Sequence, residues 1–247
     1  MTPEGPAMTL MDHLVELRDR LIKAGLALLV GMLVSTVFAK RVLGFLIALA
    51  GENLPQAYSP TAPMVMFFKV ALVCGAALAM PVIVYQLLRF ITPGLTKQER
   101  RYLLFVLPGI VLCFVGGVAF AYFVLLPPAI RFLQGFLSDI IEPKWVIEKY
   151  ISLITSLIFW TGVTFQTPLV MAFLARLGIV TPQMLIRSWR YALVLIAVVA
   201  AAITPTVDPL NMGLVMAPLV VLYGIGILLA RLAYRQRAAP AEAEAQQ

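Results

Sequence analysis

Six runs of apolar residues restrict this chain more than any single motif in it: about Ile22 to Phe38, Met64 to Leu88, Tyr102 to Leu126, Ile151 to Ala175, Tyr191 to Ile203 and Asn211 to Ala230. About 20 apolar residues in helical form cross the hydrocarbon layer of a bilayer, so such runs read as membrane spans. Composition agrees, since apolar residues are 62% of the chain and charged residues only 13%, against about 25% charged in an ordinary soluble domain. Mean hydropathy is +0.95. The predicted fold class is all-α, a polytopic membrane protein of six transmembrane helices within 247 residues. The formal charge of +7 then requires no nucleic acid, because basic loops facing anionic membrane lipid give the same excess. Cys74 and Cys113 both lie inside apolar runs and read as small buried residues, not as a disulfide or a metal pair.

Leu10, Leu14, Leu17 and Leu21 recur at helical spacing, with His13, Glu16 and Arg20 on another face. This predicts a surface helix over 10–21 that feeds the first span. A secretory signal peptide with a Val37-Phe38-Ala39 cleavage pattern is the competing reading, and Glu16 and Asp19 in the region that should be basic argue against it. Residues 40–63 read as a loop containing an apolar patch, Val42 to Leu49, that forms a re-entrant or interfacial helix too short to span. Pro81 predicts a kink in the second span, and Pro127-Pro128 an end to the third. An amphipathic linker to Glu148 follows, with Trp145 and Tyr150 as interface anchors. The fourth span carries Thr161, Thr164, Gln166 and Thr167.

The run from Tyr191 to Ile203 has 13 residues, which rise about 20 Å against a hydrocarbon core of about 30 Å. Thr204-Pro205 and Asp208-Pro209 then turn the chain directly into the last span, interrupted by Pro218. Two short spans joined by a tight turn predict a locally thinned bilayer. The transmembrane domain covers 1–234, and the Ala/Glu/Gln-rich tail over 235–247 reads as disordered. Thirteen Lys and Arg fall in one set of loops against six in the other, which predicts both termini in the cytoplasm.

One polar segment stands out between the second and third spans. Around Pro93-Gly94, which breaks the helix entering from Arg89, four cations (Arg89, Lys97, Arg100 and Arg101) surround Glu99. Thr96 with Glu99 three residues later reads as a capping box opening the next helix. The sequence has no Gly-rich phosphate loop followed by Lys, no His/Glu zinc pair and no Ser-His constellation, so an enzyme or a bound cofactor is not expected. Spans two, three, four and six hold no Asp or Glu, which disfavours a carboxylate relay. Glu16 and Glu99, at the cytoplasmic surface, suit a cationic peptide bound through charge-assisted Arg contacts.

The stretch His13-Leu14-Val15-Glu16-Leu17-Arg18-Asp19-Arg20-Leu21 resembles the amino-terminal signature of the TatC family, the multispanning receptor subunit of the twin-arginine protein translocase. Pro81-Val82-Ile83-Val84-Tyr85-Gln86, leading into Phe90, Pro93-Gly94-Leu95 and Glu99-Arg100-Arg101, is similar to that family's first cytoplasmic loop. Phe120-Ala121-Tyr122-Phe123, Phe165-Gln166-Thr167-Pro168, Thr204-Pro205 and Asp208-Pro209 continue the match in order, over about Leu10 to Tyr234.

The resemblance implies a glove-shaped six-span receptor in the bacterial cytoplasmic membrane that recognises twin-Arg signal peptides on folded cargo. Glu16 and Glu99 would bind the arginines, with Phe90 and Arg18 beside them. Gln166 would match the intramembrane polar position, with Tyr122, Thr204 and Asp208 as further candidates for contact with partners. Those partners would be TatA-type and TatB-type single-span subunits, other copies of the chain and membrane lipid, with the proton-motive force as the drive. Gln166 stands where the family often has Glu, and Gly224 where a Glu is common.

Other readings stay open on the residues alone. Glu99 also suits a helix N-terminal carboxylate, Glu16 a surface pair with Arg20, and Gln166 a helix-to-helix amide bond. Tyr122 suits an interface belt, Asp208 a cap on the last span, and Phe90 packing against the loop. A secondary transporter or channel for a small solute is the alternative class, although it should show an internal repeat and no convincing one is present.

Overall fold

The computed structural model describes residues 10–51, 55–91, 97–135, 140, 145–204 and 209–244. In chain order these form α1 (Leu10–Ala48), α2 (Ala62–Ile91), α3 (Lys97–Phe120), a π-helical turn (Ala121–Leu125), α4 (Leu126–Gly135), α5 (Ile147–Thr164), α6 (Thr167–Leu177), α7 (Pro182–Arg187), α8 (Trp189–Ile203) and α9 (Pro209–Glu244). Among the described residues, five segments are long and apolar enough to cross a membrane: His13–Ala48, Ala62–Ile91, Leu107–Gly135, Ile147–Leu177 and Val215–Arg235. Only 11% of the span-length window of α1 is buried inside the protein. Val37 and Leu112 are 86% and 72% exposed, an arrangement that hydrocarbon tolerates and water opposes at about 25 cal/mol per Å². The chain is a multi-pass, helical membrane protein, and among the described residues no strand occurs.

The structure corrects several boundaries read from sequence. The surface helix over 10–21, the first span and the patch from Val42 to Leu49 are one helix, α1. No proline interrupts 10–48, and glycine alone lowers helix stability without ending a helix whose turns are shielded by lipid. Pro127-Pro128 does not end the third span either, because α4 continues to Gly135. The Leu126 N–H donates to the Ala121 carbonyl, five residues back, and the prolines that follow occupy the first turn of α4, where a missing N–H is tolerated. Pro168 has the opposite effect. The fourth span parts at Phe165 and Gln166 into α5 and α6, since Pro168 cannot donate to the preceding turn. The last helix runs past Ala230 to Glu244 through a segment rich in Ala, Glu, Gln and Arg, all strong helix formers.

The bundle has two buried clusters. One gathers Ala39, Leu46, Val70, Tyr150, Ile151 and Ile154, and the other Met80, Val84, Leu88, Ile110, Phe114 and Phe173. Tyr150, expected as an interface anchor, is 1% exposed and donates its hydroxyl to the Leu46 carbonyl at 3.1 Å. A phenol whose hydroxyl finds an acceptor inside the bundle has no need of the interface.

The closest pairing is α1 against α2, and small residues make it possible. A Cβ added at Gly75 would lie 2.5 Å from both the N and Cα of Met32, and one at Gly31 would strike the Gly75 carbonyl oxygen. Ser35, one turn on, donates to the Met32 carbonyl and across to the Ala71 carbonyl. In hydrocarbon such close packing and polar bonding hold helices together, since lipid is as apolar as the side chains it replaces. At the end where α2 and α5 begin, Gln56 N donates to the Trp145 carbonyl at 2.9 Å and Ile147 N to the Gln56 carbonyl at 3.0 Å.

Candidate functional site

Glu16 and Arg20, four residues apart on α1, share one face. The Arg20 Nε donates to Glu16 Oε1 at 3.0 Å, and its Nη2 pairs with the same oxygen. Arg20 Nη1 also reaches Gln86 Oε1 on α2 at 3.5 Å. The Arg20 and Glu16 side chains are only 12% and 19% exposed, so water screens this pair less than a surface pair. One turn earlier, the His13 ring stacks on Phe90 with centroids 4.5 Å apart and planes 14° apart. Gln86 and Phe90 are themselves one helical turn apart, so two points on α1, His13 and Arg20, dock on successive turns at the end of α2.

One atom in this cluster lacks what its chemistry asks for. Glu16 Oε2 is buried with no hydrogen-bond donor among the described residues. His13 Nδ1 stands 3.9 Å from it, beyond hydrogen-bond range. A carboxylate offers about four lone-pair directions, and a buried acceptor left unmet costs about 1–3 kcal/mol.

Arg18 does not join the cluster. Two residues on, it projects from the other side of α1, and it pairs with Asp19 at 2.9 Å, both side chains being exposed. Glu99 lies in the first turn of α3, as expected, although its side chain, like Thr96, falls outside the described residues. Lys97 follows Ile91 by six peptide steps, a reach of at most about 21 Å, so α3 starts near the end of α2 that carries Phe90.

Gln166 lies elsewhere. It is 4% exposed at the break between α5 and α6, and its Nε2 donates to the Ile110 carbonyl of α3 at 2.9 Å. Its Oε1 is buried without a partner among the described residues. The large apolar cavity of about 690 Å³ among α1, α2, α3 and α5 is lined by Val70, Cys74, Phe114, Tyr122 and Phe159, but not by Gln166. Tyr122 reaches from that wall to the Phe45 carbonyl at 3.4 Å. Thr204 is buried and bonds back to the Ala200 carbonyl at 2.8 Å, capping the end of α8, and Asp208 lies outside the described residues. The Gln166 bond to α3 predicts that Gln166→Ala lowers the unfolding free energy in detergent by about 1 kcal/mol, measured by thermal or denaturant unfolding. An unchanged stability would show that the bond holds nothing.

Comparison with known proteins adds what geometry alone does not. A family model for the Sec-independent protein translocase protein (TatC) matches residues 12–218. The chain belongs to the TatC family. It is 36% identical over 230 residues to the TatC protein of Synechocystis sp., covering 93% of this chain and 91% of that one. It is also 36% identical over 236 residues to the chloroplastic protein of Arabidopsis thaliana, covering 94% of this chain and 69% of that one. A crystal structure of the twin arginine translocase receptor TatC superposes with a TM-score of 0.78 at 37% identity, covering 90% of this chain and 99% of that chain.

Within this TatC fold, sequence reasoning singled out Glu16 and Phe90 as candidates but not the side chains packed beside them. The His13 stack and the Gln86 contact carried no signal beyond their spacing, with His13 and Arg20 two turns apart on α1 and Gln86 and Phe90 one turn apart on α2.

Proposed function

We propose that this TatC-family chain is the receptor subunit of a twin-arginine translocase, binding signal peptides with two adjacent arginines on folded cargo. The observation that carries the reading is Glu16 Oε2, a buried carboxylate oxygen with no donor among the described residues, one helical turn from the stacked His13–Phe90 pair. An arriving guanidinium supplies the missing donors, and the cost of leaving that oxygen unmet becomes binding energy. Glu99, at the start of α3, takes the second arginine. Phe90 offers a flat apolar face on which a guanidinium stacks. Arg18, turned away and paired with Asp19, flanks the site and sets its local charge.

After docking, the apolar part of the signal moves into the bundle. Gln166, Tyr122, Thr204 and Asp208 are assigned to contacts with TatA-type and TatB-type single-span partners. Further copies of the chain complete the assembly, and the proton-motive force drives it. Gln166 does not titrate, so proton coupling runs through other groups. In this reading α8, 15 residues and about 22 Å long, is the fifth of six spans, and both termini face the cytoplasm of a bacterium.

Photo-cross-linking in native membranes tests this. Probes placed at 16 and at 99 are expected to capture the arginine region of a twin-Arg signal peptide, and a probe at Arg41, at the far end of α1, is not. Equal capture at all three positions, or none at 16 and 99, would remove the docking role.

A further inference from the structure

Where α9 leaves the membrane it forms one wall of a cavity of about 420 Å³, shared with α7 and lined by Pro182, Gln183, Ile186, Arg231, Tyr234 and Arg235. Arg231 and Arg235 are four residues apart on one face of α9, with Tyr234 beside them. Among the described residues neither guanidinium has an ion-pair partner, and no acid lines the cavity. The opposite wall is held in place, because Tyr223 on α9 donates its hydroxyl to the Leu185 carbonyl on α7 at 2.7 Å. Pro182 and Ile186 give that wall an apolar surface, while Gln183 adds an amide.

We infer that this cavity binds the phosphodiester headgroup of an anionic phospholipid. Three features select that chemistry. Two guanidiniums at one-turn spacing match phosphate oxygens through paired N–H donors, and the Tyr234 hydroxyl and Gln183 amide supply neutral donors. The net charge of the pocket is positive without a compensating acid, which favours a headgroup of net negative charge over a zwitterion. Its place along the chain also fits: Arg231 follows directly on the apolar run that ends at Ala230 and Arg235 comes one turn later, where basic side chains meet the level of lipid phosphates, and Ile186 gives the wall the apolar surface that the start of an acyl chain needs. A lipid seated there ties the end of α9 to α7, a link additional to the Tyr223 bond.

Native mass spectrometry of the delipidated protein, titrated with phosphatidylglycerol, phosphatidylcholine or inorganic phosphate, tests the assignment. Phosphatidylglycerol is expected to bind at least about tenfold more tightly than phosphatidylcholine, and the R231Q/R235Q double variant is expected to lose that preference. The control K40Q/R41Q, which removes the same charge at the far end of α1, should leave it unchanged. Intact α-helical circular dichroism in R231Q/R235Q separates loss of the site from loss of the fold. Unchanged lipid preference in R231Q/R235Q, or an equal loss in K40Q/R41Q, would overturn the site. Inorganic phosphate displacing phosphatidylglycerol at equimolar concentration would reassign it to a free anion.

Discussion

Gly75→Leu is expected to yield no properly folded protein, or protein that aggregates on extraction into mild detergent. Even a single carbon on Gly75 would lie 2.5 Å from backbone atoms of Met32, and backbone cannot rotate away as a side chain can. Leucine therefore forces α1 off α2, breaking the Ser35 bond to the Ala71 carbonyl along with the packing. Overpacking a well-filled core costs about 1–3 kcal/mol when side chains can adjust, and more when two helix axes must move. Gly116→Ala is the matching control, because nothing lies within 4 Å of its added Cβ, and its stability should stay within about 0.5 kcal/mol of the parent. Size-exclusion profiles and thermal unfolding of the two variants decide the matter. A monodisperse Gly75→Leu protein melting with the parent would mean that α1 and α2 do not cross so closely.

Glu16→Gln should separate receptor chemistry from scaffolding. Glutamine keeps an acceptor for the Arg20 guanidinium, and a pair exposed by 12% and 19% contributes between the 0–1 kcal/mol of a surface pair and the larger cost of breaking a buried one, so the melt should shift little. A charge-assisted hydrogen bond to an arriving arginine contributes about 1.5–3 kcal/mol, so twin-Arg peptide affinity should fall by about tenfold or more. Glu99→Ala should show a loss of similar size. Peptide binding to the parent in nanodiscs should also weaken as salt rises from about 0.05 to 0.5 M, because exposed charge pairs are screened. If Glu16→Gln binds the peptide as the parent does, Glu16 is a strut for Arg20 and Gln86 and nothing more.

Much of this was legible in the sequence because hydropathy and charge act locally. The apolar runs located the long membrane-crossing helices, and four-residue spacing paired Glu16 with Arg20. The errors came where a local rule met a context that cancels it. Pro127-Pro128 reads as a stop, yet a widened π-helical turn ahead of it places both prolines in a first turn. The patch from Val42 to Leu49 reads as a separate short helix within a loop, whereas residues up to Ala48 complete a helix already under way. Tyr150 reads as an anchor by type and turns out to be a core residue by virtue of one carbonyl, that of Leu46, 104 positions away. The unmet oxygen of Glu16 had no sequence signal at all, since it depends on where His13 stops short.

The main-chain bridge between Gln56 and the start of α5 works as a clasp on one end of the bundle. It lies ahead of α2, while Glu16, Gln86 and Phe90 gather at the other end of that helix, 30 residues and about 45 Å away. Parting α2 from α5 near the clasp means breaking two backbone hydrogen bonds and the bond from Lys69 Nζ to Ser152 Oγ at 2.6 Å, whereas among the described residues no backbone hydrogen bond joins their far ends. If a signal docks at the far end as proposed, the two helices are expected to part there first, like tongs, with the clasped end as the pivot.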